Sequence, residues 1–180
     1  IKNNSGIQKI TIFAYCILPN SFHIVLQDSS SRLPEFIKQI SSKYGMYYRG
    51  IEGGEGKIFR DRYKSILIGG DEYLKMSALH ILSSPLREDI CDNPILYQWS
   101  SAQEYFTVNK SDYVDNQHME YLFRSRGNLN RMLREWKDRK LSSVSTELGY
   151  ILGDKKFIEK ARRLFQGNKE VESIEKDSGK

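Results

Sequence analysis

The sequence predicts an α+β fold. Its first half reads strand, strand, helix, strand, helix: apolar residues alternate over residues 10 to 27, three-to-four spacing follows from about Pro34, and a β-rich run from Lys57 leads into a second helical stretch at Asp71. With 180 residues, 39% of them hydrophobic, the chain has the size of one compact domain with an appendage.

Residues 10 to 27 form a hairpin joined at Pro19-Asn20. Ile10, Ile12, Ala14 and Cys16 share one face, and Thr11, Phe13, Tyr15 and Ile17 the other. Both faces are largely apolar, which suggests central strands. Ser29, Ser30 and Ser31 are expected to cap a helix in which Phe36, Ile37, Ile40, Tyr44 and Tyr47 keep helical spacing. Gly50 to Gly56 reads as a loop, and Lys57 to Ile68 returns as a strand. Gly69-Gly70 breaks that strand, and the helix opening at Asp71 must end near Pro85. Beyond Asn109 the composition turns to charged helices, roughly 115 to 140 and 154 to 166. A disordered tail of Lys, Glu and Ser is expected at 167 to 180.

Charge and cysteine narrow the function classes only modestly. A net charge of +5, from 28 Lys and Arg against 23 Asp and Glu, is compatible with nucleic acid without requiring it. Cys16 and Cys91 lie in unrelated settings, so neither a disulfide framework nor a CxxC metal site is indicated, and a cytoplasmic location is the default. No apolar run approaches the roughly 20 residues of a membrane span, and no charged-then-apolar leader opens the chain, so no membrane partner is expected.

AYCILPNSFHIVLQ, residues 14 to 27, is the most informative segment, because Ser21 and His23 share one face of a strand. Two histidines at that spacing would make a cation site. The segment resembles the His-hydrophobic-His strand of the REP-associated tyrosine transposases, single-tyrosine HUH nucleases with the pattern Tyr-x-x-Met-Pro-Asn-His-x-His-hydrophobic. Tyr15, Leu18, Pro19, Asn20 and His23 match, and Ser21 stands where the first metal histidine belongs. YGMYYRGIEGGEGKIFRDRYKS (44 to 65) resembles that family's aromatic helix end, glycine-rich loop and Phe-x-x-Arg-Tyr-Lys-Ser strand. LHILSSPLRED (79 to 89) resembles its Tyr-Ile-x-x-Asn-Pro-hydrophobic-Arg segment, and YQWSSAQEY (97 to 105) carries its Trp-Ser-Ser landmark. His80 then occupies the position of the nucleophilic tyrosine and Ser84 that of the asparagine four residues later.

The resemblance covers residues 8 to 108 and implies a ferredoxin-like or RRM-like antiparallel sheet with helices on one face, followed by a helical extension. The division is a transposase-like domain over 1 to 108, the extension over 109 to 166 and the tail over 167 to 180. Because the sequence starts at Ile1 in what would be the end of the family's first helix, the family's first strand and most of that helix are expected to be missing. The implied chemistry uses a divalent metal, magnesium or manganese, held by two imidazoles, and a tyrosine that attacks the scissile phosphate to give a 5′-phosphotyrosyl link. At the metal positions stand His23, Ser21 and Ser84, and at the nucleophile position His80. Metal binding is expected to be weak or absent, because a hydroxyl is a poor substitute for imidazole and histidine cannot form the stable phosphotyrosine.

Each of these residues also has an ordinary reading. His23 fits a histidine satisfied on a sheet face, and His80 a polar residue near a helix end. Tyr73, seven residues and about 10 Å before His80 on nearly the same helix face, is either a substitute nucleophile or a core residue. Arg60, Arg62 and Lys64 fall on one side of the expected strand at intervals of about 6.5 to 7 Å, suited to a phosphate backbone or to solvent. A second basic run, Arg124, Arg126, Arg131, Arg134, Lys137, Arg139 and Lys140, has Glu135 and Asp138 as its only acids and suits a hairpin stem or a soluble helix face, with Trp136 anchoring it inward. The expectation is a transposase-like protein that binds single-stranded or hairpin DNA with impaired catalysis, a homodimer being open. The alternatives are a non-catalytic nucleic-acid-binding module and a protein-interaction remnant.

Overall fold

The computed structural model describes residues 10 to 53, 56 to 146 and 149 to 165. Its organising element is an antiparallel hairpin of β1 (Ile10–Leu18) and β2 (Ser21–Asp28), turning at Pro19-Asn20. Ile10, Ile12, Ala14, Cys16 and Leu18 are all buried, as alternation requires when one face meets the core. The register shifts between Ile12 and Ala14.

The second edge of β1 is satisfied by loops instead of a full strand. Ile17 N–H donates to Trp99 O at 2.8 Å, Asp115 N–H donates to Ile12 O at 2.8 Å, and Tyr15 N–H donates to Ser101 Oγ at 3.0 Å. The buried Tyr105 hydroxyl donates to Phe13 O at 2.6 Å. Buried backbone groups need partners, and here the Trp-Ser-Ser segment and the residues after it supply them.

Helix α1 (Leu33–Glu52) starts where the Asp28 carboxylate accepts the N–H groups of Ser30 at 2.9 Å and Leu33 at 2.7 Å. The three serines expected to cap it do not, because Asp28 already reaches those donors. α1 enters the core through Phe36. Helix α2 (Gly70–Leu82) packs across β1 and β2 with Leu74, Ala78, Leu79 and Leu82 buried. It stops just before Pro85, and the single turn α3 (Ser84–Arg87) follows.

The expected 115–140 helix is two, α4 (Asn116–Phe123) and α5 (Arg126–Glu135), separated at Arg124, whose φ is 68°. Met119, Phe123, Leu129, Leu133 and Trp136 belong to the same buried cluster as β1 and α2. Residues on both sides of position 108 share that cluster, and Val114 bridges to Ile12. A helix runs over 155 to 165, and the expected tail at 167 to 180 lies outside the described residues.

The fold is α+β, but its strands do not form one antiparallel sheet. A second, mixed sheet has the order β3-β5-β4, with β3 (Ile66–Ile68) parallel to β5 (Gly149–Leu152) and β4 (Val144–Thr146) antiparallel to it. Of the strand expected over Lys57 to Ile68, only the last three residues are strand. Residues 60 to 65 are Arg, Asp, Arg, Tyr, Lys and Ser, all exposed, so they offer the core no apolar face, whereas Ile66-Leu67-Ile68 pairs in register with Tyr150-Ile151-Leu152 of β5. Among the described residues, no helix is long and apolar enough to cross a membrane.

Candidate functional site

The register of the hairpin decides where the strand candidates point. Cys16 pairs with His23 and Leu18 with Ser21, so Ser21 and His23 share the face of buried Cys16 and Leu18, against which α2 packs. Ser21 Oγ and His23 Nε2 are 3.4 Å apart. His23 is exposed by area, yet the neighbouring core still lowers its pKa through desolvation, with Glu88 opposing and Arg87 reinforcing the shift.

His80 comes to the same place from α2. Its pKa is lowered from 6.5 to about 4, first by burial, then by Arg87 and then by His23. Both imidazoles are thus held toward their neutral form by burial and by the Arg87 guanidinium. His80 Nδ1 is buried without a hydrogen-bond partner. Ser21 and His23 adjoin on β2, and His80 lies on the helix that packs against that strand.

Arg87 holds the base of this cluster. Its Nη2 donates to Ser84 Oγ at 2.6 Å and to His80 O at 3.3 Å, and Nη1 lies 3.5 Å from Ser83 Oγ. The hydroxyls of Ser83 and Ser84 donate to His80 O at 3.2 and 3.1 Å. Three donors therefore close the carbonyl left open at the end of α2, and a cation at that terminus complements the helix dipole. The sequence motif singles out Ser84 and includes Arg87 as its closing arginine without giving it a role in the site. The available signal was spacing: Arg87 lies three residues after Ser84 and seven after His80, one and two helical turns away.

These residues do not fit a divalent metal. Ser84 Oγ is committed to Arg87 and to His80 O, Ser21 supplies a neutral hydroxyl, and the adjacent guanidinium opposes a second cation. Among the described residues, no group of three or more His, Cys, Asp or Glu side chains could hold a metal ion. Tyr73 is half-buried on α2, two turns before His80, and no tyrosine hydroxyl is hydrogen-bonded to any member of the cluster among the described residues.

The cationic candidates divide into free and engaged. Arg60, Arg62 and Lys64 are exposed, with no ion pair or hydrogen bond among the described residues, but they lie in irregular chain and so lack the strand alternation expected to align them. Arg131 pairs with Glu135 at 2.7 Å and with Asn128 Oδ1 at 2.7 Å, whereas Arg134 is exposed. Lys137 meets Asp89 at 3.3 Å, and Arg139 lies 5.4 Å from the ring centre of buried Trp136. Such exposed pairs contribute little and can be exchanged for phosphate contacts. Comparison of the chain with protein-family models, with curated proteins and with solved structures gives no match.

Proposed function

We propose that the chain is a transposase-like DNA-binding protein that holds single-stranded or hairpin DNA and is impaired in cutting it. The observation that carries this reading is the composition of the cluster between β2 and α2: a guanidinium, two imidazoles with lowered pKa and a hydroxyl. Hydrogen-bond donors beside a fixed positive charge suit the oxygens of a phosphodiester. They bind it without the Lewis acid or the adjacent tyrosine that breaking it requires in the REP-associated tyrosine transposases, which the sequence motifs resemble. The unpaired Arg60, Arg62 and Lys64 add sequence-independent attraction for the backbone.

The finer parts of the reading belong to the same proposal: a ferredoxin-like or RRM-like ancestry for the hairpin with α1 and α2, action in the cytoplasm, and a homodimer as the alternative to a monomer. A non-catalytic module retained for regulation is favoured over a residual nuclease by the commitment of Ser84 to Arg87.

Fluorescence anisotropy with a labelled hairpin and a labelled single strand tests the proposal between 50 and 200 mM salt, with manganese or with chelator. Binding is expected to fall with salt and to ignore the chelator. Replacing Arg60, Arg62 and Lys64 together by alanine is expected to reduce the log–log salt slope by roughly 2, at ~0.7 per phosphate contact on single strands. No binding to any probe, or a manganese-dependent covalent adduct surviving denaturation, would overturn it.

A further inference from the structure

Helix α1 carries an apolar stripe that the core does not use. Tyr44, Tyr47, Tyr48 and Ile51 recur at positions i, i+3, i+4 and i+7, the spacing by which a helix normally buries one face. Here Tyr47 is 64% and Ile51 61% exposed, and Tyr44 and Tyr48 are exposed beside them. The stripe spans about 10 Å along the axis.

The aromatic surface does not stop at the helix. Tyr44 and Tyr48 have ring centres 6.1 Å apart, Tyr44 lies 5.8 Å from Phe59, and Phe59 meets Phe22 of β2 edge-on at 5.8 Å. A continuous row of rings thus runs from β2 to the end of α1. The residues that follow Phe59 are Arg60, Asp61, Arg62, Tyr63 and Lys64, three unpaired cations interleaved with one acid and one more exposed aromatic ring. A protein-binding patch tends to lose charge at its centre, whereas rings bordered by free cations match stacked bases with their phosphates alongside.

We infer that this row is a base-stacking platform for single-stranded nucleic acid: Tyr44, Tyr47 and Tyr48 take base faces, and Arg60, Arg62 and Lys64 take the adjoining phosphates. The inference rests on the DNA-binding reading and adds to it a surface separate from the Ser21–His23–His80 cluster. Stacking tolerates any base because each has a π-face, so the platform confers affinity for unpaired strand and little sequence preference.

The experiment uses the full chain, a twelve-residue oligothymidylate, and an abasic strand with the same number of phosphates. The wild type is expected to prefer the base-bearing strand. Tyr47→Ala with Tyr48→Ala should weaken binding to it by roughly five- to 150-fold per stacked base while leaving the abasic strand unaffected. Tyr47→Phe, which keeps the ring, should retain wild-type affinity and controls for folding. Equal affinity for the two strands, or tyrosine variants without effect while the Arg60, Arg62 and Lys64 replacement still weakens binding, overturns the platform and leaves DNA binding standing. Failure of both strands to bind overturns the two proposals together. A concentration-dependent mass abolished by Tyr47→Ala, with no preference for bases, overturns the platform by assigning the stripe to a second copy of the chain.

Discussion

Acidification from pH 7.5 to pH 5 is expected to destabilise the protein through His80 in particular. In the unfolded chain this imidazole titrates near 6.5, and in the native state its burial, reinforced by Arg87 and His23, lowers the value to about 4. Between those values the unfolded chain binds a proton that the native state does not. The contribution of His80 to stability is therefore complete above pH 6.5 and is lost as pH falls toward 4. At pH 5 the loss amounts to about 2 kcal/mol, and to ~1–2 kcal/mol once solvent reaching the half-buried ring is allowed for. Urea denaturation at pH 7.5 and pH 5, on the wild type and on His80→Leu, measures it by difference. Leucine is neutral and apolar, and the substitution strands no hydrogen-bond partner of Nδ1, because that atom has none. His23, whose pKa is also lowered and which interacts with His80, is removed from the comparison by repeating it in a His23→Leu background. Equal pH dependence in the two proteins would refute the reasoning, and with it the neutral state of His80.

Two further substitutions test the scaffold. Tyr105→Phe removes the hydroxyl that donates to the part-buried Phe13 O at 2.6 Å and lies 2.9 Å from Ser101 Oγ, so a loss of ~1 kcal/mol is expected in urea denaturation; no measurable loss would mean that water replaces the hydroxyl. Gly69→Ala should cost ~1–3 kcal/mol and lower the melting temperature, because its Cβ would lie 2.5 Å from Phe157 Cδ1 and 2.6 Å from Cγ, atoms near the root of a ring that a rotamer change cannot clear easily.

The parts of the fold legible in the sequence are those specified by near neighbours. The hairpin announces itself because every second residue of Ile10–Leu18 is apolar and Pro19-Asn20 turns the chain, and the observed burial follows that alternation. α2 ends where Pro85 forces it to, and Trp136 packs inward as its place beside Leu129 and Leu133 suggests. The second sheet was invisible for the opposite reason. β4 and β5 are three and four residues long, too short for a period to register, and β5's partner Ile66 pairs with Tyr150, more than eighty residues away. Just before β3, residues 57 to 65 carry five charged side chains against two rings and one isoleucine, and they join neither sheet.

The candidate site divides along the same physical line. Ser21 and His23 stand out by side-chain chemistry and strand register and His80 by the motif resemblance, and the helix that carries His80 packs against the hairpin. Arg87 could not be placed that way, because its partners include a backbone carbonyl, His80 O, which no residue identity encodes. The same carbonyl takes up the hydroxyls of Ser83 and Ser84, so closing the end of α2 consumes the atom that the metal reading needed. An unoccupied helix terminus and an unoccupied ligand position compete for one serine, and the terminus wins because it lies within one turn while any ligand set must be assembled from β2. What the scaffold leaves over on this surface is hydrogen-bond donors and a guanidinium, the features on which the proposed attraction for a phosphate backbone rests.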